Sequence, residues 1–156
     1  MWVDFDMNIL VTVGTTAFDE LIKVIDESFK HDQSIDIIAQ ISSSSSYTPK
    51  NIESFEFSND FQYFVEAADL IVTHAGAGSV YSMLEKGKKL IVVPNLTRAD
   101  DHQLELAKYV QDNDFAVSCF DLTEIKNCIK GIENIKFKPY RCEKFFGHNI
   151  IRGLLK

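Results

Sequence analysis

The stretch Asp69-Leu-Ile-Val-Thr-His74-Ala-Gly76-Ala-Gly78-Ser79-Val-Tyr-Ser82-Met-Leu-Glu85-Lys-Gly87-Lys-Lys-Leu-Ile-Val-Val-Pro94 decides how the rest of the chain is read. Leu70–Thr73 and Leu90–Val93 are short apolar, β-branched runs with the length and residue types of buried strands. The segment between them has room for about three helical turns. Strand, helix and strand in that order make a βαβ unit, whose crossover is right-handed. His74, Gly76, Ala77, Gly78 and Ser79 then fall where the first strand ends and the helix begins. A helix start presents unbonded N–H groups and the positive end of the helix dipole, a combination that suits phosphate. Gly76 and Gly78 allow the backbone close to a ligand, and Ser79 could cap the helix or donate its hydroxyl to an anion. Small residues at such a turn also serve tight packing alone, so both readings stand on these residues.

Working outward, Asn8–Val13 reads as a first strand, nearly continuous in apolar residues, as in a parallel sheet covered on both faces. Residues 1–6 are a possible extension, with Met7 a possible start. Gly14-Thr15-Thr16 follows at once, a second strand–turn–helix junction, and Thr16 with Asp19 resembles a capping box for a helix running to about Phe29. Ile35–Ile41 is the next strand. Five consecutive serines, Ser42–Ser46, then read as a mobile, solvated loop that could border a ligand because it follows a strand end. Ile52–Phe57 alternates as a strand, and Asp60–Ala68 is a helix with Phe61, Phe64, Val65 and Ala68 inward. Beyond Pro94, a helix from His102 to Gln111 is expected, capped by Asp100 or Asp101, which lifts His102 and Gln103 to the same sheet edge as His74. Phe115–Cys119 is a last strand, Asp121-Leu-Thr-Glu124 a capping box, and Cys142–Leu155 an amphipathic final helix.

The pattern gives one α/β domain over residues 1–156: a Rossmann-like, open, parallel or mostly parallel sheet with helices on both faces. Ligands of such sheets bind beyond the carboxyl ends of the strands. Gly14–Thr16, His74–Ser79 and His102–Gln103 all converge there.

Composition bounds the function. The chain has 156 residues, 46% hydrophobic and 25% charged, the profile of an ordinary globular domain. No apolar run approaches the ~20 residues of a membrane span, and the N-terminus lacks the pattern of a signal peptide, so a cytosolic location is expected. Cys119, Cys128 and Cys142 are three and widely spaced, which argues against a zinc site or disulfide framework. The net charge of −7 argues against nucleic acid. It is uneven: residues 136–156 carry six Lys/Arg and one acid, and the other 135 residues carry 10 basic and 22 acidic side chains. That basic segment reads as a docking element, or as a helix folded back on its own acidic domain. A nicotinamide-binding fingerprint fails because Tyr81 stands where the third glycine belongs.

Four motifs taken together in order, Val11-Thr-Val-Gly14-Thr-Thr16, His74-Ala-Gly-Ala-Gly-Ser79, Gly87-Lys-Lys-Leu-Ile-Val-Val-Pro94 and Asp101-His-Gln103-Leu-Glu-Leu-Ala107, resemble the donor-binding, C-terminal half of GT-B glycosyltransferases. The likeness is greatest to catalytic subunits of the two-part UDP-N-acetylglucosamine transferase that acts on N-acetylglucosaminyl-diphosphodolichol. Bacterial exopolysaccharide galactosyl- or glucosyltransferase subunits are similar. The resemblance implies that Gly14, Thr15 and Thr16 border the donor diphosphate and that His74, Gly76, Ala77, Gly78 and Ser79 hold it. It also implies that His102 and Gln103 face the sugar, with His74 and Gln103 the catalytic candidates. Related domains place a ribose-binding Glu where this chain has Ser82, and Glu85 on a neighbouring part of the helix is the alternative.

The implied reaction is inverting and metal-independent, with a UDP-sugar as co-substrate and no cofactor; Asp100-Asp101 reads more simply as a cap than as a metal motif. A membrane-anchored partner subunit would supply the lipid-linked acceptor and the general base. It would recruit the chain to the cytosolic face of the endoplasmic reticulum or of a bacterial plasma membrane. A non-catalytic nucleotide-sugar-binding regulatory module is the alternative from another class.

Overall fold

The computed structural model describes residues 6–97 and 101–141. Within them, strands β1 (Met7–Thr12), β2 (Ile35–Gln40), β3 (Glu53–Phe55), β4 (Leu70–His74), β5 (Leu90–Val93) and β6 (Val117–Ser118) form one sheet in the order β3-β2-β1-β4-β5-β6. Every neighbouring pair is parallel. Helices α1 (Asp19–Ser28), α2 (Phe61–Ala67), α3 (Ala77–Glu85), α4 (His102–Asp112) and α5 (Ile125–Gly131) make the crossovers and outer layers. The order is that of a doubly wound sheet, and its direction reverses between β1 and β4.

Two apolar layers follow from strand alternation. Ile9 and Val11 of β1, with Val13 just after it, point to the face covered by α1 and α5, where they meet Leu21, Ile25, Ile125 and Ile129. Leu10 points to the other face, where Val65, Val80, Met83, Ala107 and Val110 of α2, α3 and α4 pack with Ile71, Leu90 and Val92. Central β4 and β5 are buried along Leu70–Thr73 and Leu90–Val93, as their unbroken apolar runs require. The outer strands are shorter than their sequence suggests. β3 keeps three of the six residues expected and β6 two of five, because each has a ladder partner on one side only. The expected final helix, with Cys142, lies outside the described residues.

Two local expectations are corrected. Thr16 and Asp19 make no capping box: α1 starts at Asp19 after Phe18, with no side-chain cap bond. The Asp19 carboxylate instead accepts from the Ser45 hydroxyl and from the Ser46 N–H at 2.9 Å. The serine run is accordingly tied down rather than loose. The Ser42 hydroxyl is buried and donates to the Thr15 carbonyl at 2.9 Å. At Asp121 the expected cap forms in part: its carboxylate accepts from the Thr123 N–H at 2.9 Å, and a single 3₁₀ turn precedes α5.

The connection from β2 to β3 is built on a buried carboxylate. Asp26 of α1 is fully buried and accepts from the Tyr47 hydroxyl (2.6 Å) and from the N–H groups of Lys50 (3.0 Å), Asn51 (2.7 Å) and Ile52 (3.2 Å). Burial alone would raise its pKa. The bonds from Lys50, Tyr47, Asn51 and Ile52 together outweigh burial and hold the carboxyl below its ordinary value of 3.8. The same bond to Asp26 pushes the Tyr47 phenol up to about 12.

Replacing Asp26 by Ala orphans these donors and should cost about 3 kcal/mol in urea unfolding, with Asp26→Asn losing less. The folded carboxyl binds its proton less readily than the unfolded one, so its contribution is complete above pH 3.8 and fades as the pH falls further. The acid limb of the wild-type stability profile should therefore be flatter in Asp26→Ala.

Candidate functional site

The sheet's reversal sends α1 to one face and α3 to the other, and the turns that lead to them flank a crevice at the ends of β1 and β4. Gly14 makes the first turn with φ +71°, a conformation that glycine adopts without strain. Its backbone is gripped from both sides by Gln40 at the end of β2. The Gln40 Oε1 accepts from the Gly14 N–H at 3.1 Å and from the Thr12 hydroxyl at 2.6 Å. Its Nε2 donates to the carbonyls of Gly14 (3.0 Å), Ile41 (3.0 Å) and Glu56 (3.3 Å). One amide thus ties together the turns after β1, β2 and β3.

The His74 imidazole, half-buried at the end of β4, lies between the two turns. A Cβ built on Gly14 would fall 2.7 Å from its Cε1, and one on Gly76 only 2.4 Å from its Nε2. The ring leaves no room for a side chain at either glycine, and at Gly14 the positive φ adds its own demand. Gly78 differs: a Cβ there would meet nothing within 4 Å, so its backbone faces open space.

Gly76, not Ser79, is the N-cap of α3. The first bond back along the helix runs from the Val80 N–H to the Gly76 carbonyl at 2.9 Å. The N–H groups of Ala77, Gly78 and Ser79 are therefore helix-start donors at the positive end of the dipole.

On the α2–α3 face, a cavity of about 430 Å³ extends from this crevice across the ends of β1, β2 and β3. Thr12, Gln40 and Phe55 line it at the ends of the three strands, the turns that follow those strands line it further, and Phe61 of α2 and Ser79 of α3 complete it. Phe55 is fixed by stacking on Phe64 of α2 (centroids 4.8 Å apart), whereas Phe57 is 81% exposed at the lip. A smaller cleft of about 220 Å³ adjoins it, sharing Phe61 and Ser79 and adding Gly78, Ser82 and Lys86.

Of the residues singled out from sequence, Gly14, Thr15 and Ser79 share the main cavity. His74 and Gly76 line neither hollow, although the His74 ring adjoins Gly14 of the main cavity, and Gly78 and Ser82 line the adjoining cleft. Thr16 and Ala77 are exposed and line neither hollow, and neither does Glu85, exposed at the far end of α3. Gln103 lies next to β4's neighbour: its Oε1 accepts from the Asn95 N–H at 3.0 Å, two residues beyond Val93, which is opposite His74 in register. His102 is 89% exposed, 3.7 Å from the Glu105 carboxylate, and lines neither hollow. The N-cap of α4 is Asp101, without a side-chain cap bond.

Sequence reading missed Thr12, Gln40, Phe55, Glu56, Phe57 and Phe61. Their common signal is position at the carboxyl edge of the sheet: Thr12, Gln40 and Phe55 end strands, Glu56 and Phe57 follow β3, and Phe61 begins α2. Among the described residues, no group of three or more His, Cys, Asp or Glu side chains is arranged to hold a metal ion, and no helix is long and apolar enough to cross a membrane.

Comparison with known proteins follows this geometry. Residues 8–144 match the Glycosyltransferase family 28 C-terminal domain. The human UDP-N-acetylglucosamine transferase subunit ALG13 is 31% identical over 149 residues, which cover 86% of this chain and 13% of the human protein. This chain thus spans a small part of that relative's length. Among solved structures, the glycotransferase of kitacinnamycin superposes with a TM-score of 0.66 at 21% identity, over 82% of this chain and 35% of that one. The NMR solution structure of ALG13 gives 0.60 at 18% identity, over 87% and 89%. At these identities the two structures show a shared fold.

The glycine environments separate packing from access. Gly14→Ala and Gly76→Ala should each lower stability by about 1–3 kcal/mol, through crowding of the imidazole. Gly78→Ala should leave the melting temperature unchanged or slightly higher, since alanine is the better helix residue. Thermal unfolding of the three variants checks the contrast.

Proposed function

The chain belongs to the Glycosyltransferase family 28 C-terminal domain family, and on that premise we propose that it is the donor-binding, catalytic half of an inverting UDP-sugar glycosyltransferase. The observation that carries this reading is the continuity of the main cavity with the start of α3 at the sheet's reversal. The donor's diphosphate is placed at the N–H groups of Ala77, Gly78 and Ser79, with His74 and the Gly14–Thr15 turn beside it. The nucleoside runs along the cavity toward β3, against Phe55, Phe57 and Phe61. The sugar extends the other way, over β5, toward Gln103 and His102.

In this arrangement the acceptor's hydroxyl attacks the anomeric carbon as the bond to the diphosphate breaks, and its proton passes to a base on the partner. Negative charge grows on the departing UDP, and fixed N–H dipoles with the helix end stabilise it there. That role needs no metal ion in this proposal. The Gln103 carbonyl is engaged by Asn95, so its NH₂ end is the one assigned to a sugar hydroxyl. N-acetylglucosamine is the sugar proposed, from the name of the human relative, and that relative's description as a subunit supports an acceptor-binding partner. A lipid-linked acceptor, a membrane anchor on the partner and recruitment of this chain to the cytosolic face of a membrane complete the proposal.

Titration calorimetry should detect UDP binding to the chain, tightened by the partner. Gly78→Val should weaken it at least tenfold while leaving the fold intact, because its side chain enters the space given to the diphosphate. In the reconstituted pair, His74→Asn should lower transfer about a hundredfold, and EDTA should have no effect. Absence of uridine nucleotide binding with and without the partner overturns the reading; binding without transfer points to a regulatory module.

A further inference from the structure

The family resemblance implies a ribose-binding glutamate at the position that Ser82 holds here. Glu85, the neighbouring candidate, is exposed and lines neither hollow. The main cavity nevertheless has an acidic residue along it. Glu56, exposed and directly after β3, is the one charged residue among those that line it. The remainder are hydroxyls, the Gln40 amide, the Gly14 turn and phenylalanine rings.

We infer that Glu56 is a specificity-determining residue that accepts hydrogen bonds from the ribose hydroxyls of the donor nucleotide, in place of the missing helical glutamate. This rests on the reading of the cavity as a UDP-sugar site. A carboxylate repels a diphosphate, so it can serve such a ligand only where the ligand is neutral and donates. The strand order meets that condition. Two strand spacings, about 10 Å, separate β3 from β1, and α3 begins one strand further still. At that distance along the cavity a nucleotide presents its ribose and base. The base offers flat apolar faces, which match Phe55, Phe57 and Phe61. The ribose offers two adjacent hydroxyls, and one carboxylate can accept from both. The Glu56 backbone is anchored to the cavity, because its carbonyl accepts from Gln40 Nε2 at 3.3 Å. That bond uses the backbone, so it survives replacement of the side chain.

The test is nucleotide discrimination by the full chain, alone and with its partner. The wild type should bind UDP at least tenfold more tightly than 2′-deoxy-UDP, because a site built to bond a hydroxyl rejects the analogue that lacks it. Glu56→Ala should weaken UDP about tenfold and 2′-deoxy-UDP, which keeps one of the two hydroxyls, by clearly less, so that the ratio falls toward one. Glu56→Gln, which keeps an accepting oxygen, should recover part of the preference. Equal weakening of both nucleotides by Glu56→Ala, or an unchanged preference for UDP, overturns the inference while leaving the donor site in place. If the wild type binds neither nucleotide, the donor-site reading itself fails and the inference with it.

Discussion

The crevice depends on one side-chain amide holding one residue by both of its backbone polar groups. Gln40 accepts from the Gly14 N–H and donates to the Gly14 carbonyl, and so fixes a turn whose φ of +71° gives it no regular ladder to join. The same amide reaches Thr12, Ile41 and Glu56. Parallel strands end independently, and nothing in a ladder of backbone bonds keeps their final turns together. A glutamine in the middle of three such ends does. Polar groups shielded from water need partners, and here that requirement shapes the cavity where the three strands end.

Much of the architecture was legible in the sequence, because it is set by local pattern. Leu70–Val72 and Leu90–Val93 are buried on both sides, and their unbroken apolar runs say so. Asp121 caps its own turn two residues on, an interaction contained within the motif. What escaped was long-range. Asp19 has the spacing of a capping residue, but it is drawn to serines 26 and 27 residues away. Asp26 looks like an exposed helical carboxylate and is instead fully buried beneath the loop from Tyr47 to Ile52. Gln40 closes a strand and has no motif at all. Periodicity reports which face a residue takes and cannot report which distant backbone group it will meet.

The same distinction holds within the glycine-rich segment. Its placement at the start of α3 follows from its position between two strands. The separate reasons for its glycines do not. Gly76 makes room for a ring of the protein itself, whereas the space beside Gly78 is open. Identical residues two positions apart thus meet different demands, one internal and one facing outward.

The imidazole lodged between two turns has a consequence for how such a chain can diverge. Positions 14, 74 and 76 share one small volume, so they are not free to change one at a time. A side chain can be gained at either glycine only in a lineage that has first exchanged the histidine for something slimmer. Across descendants the three should drift as a single unit of inheritance, although 60 residues separate Gly14 from His74 along the polypeptide.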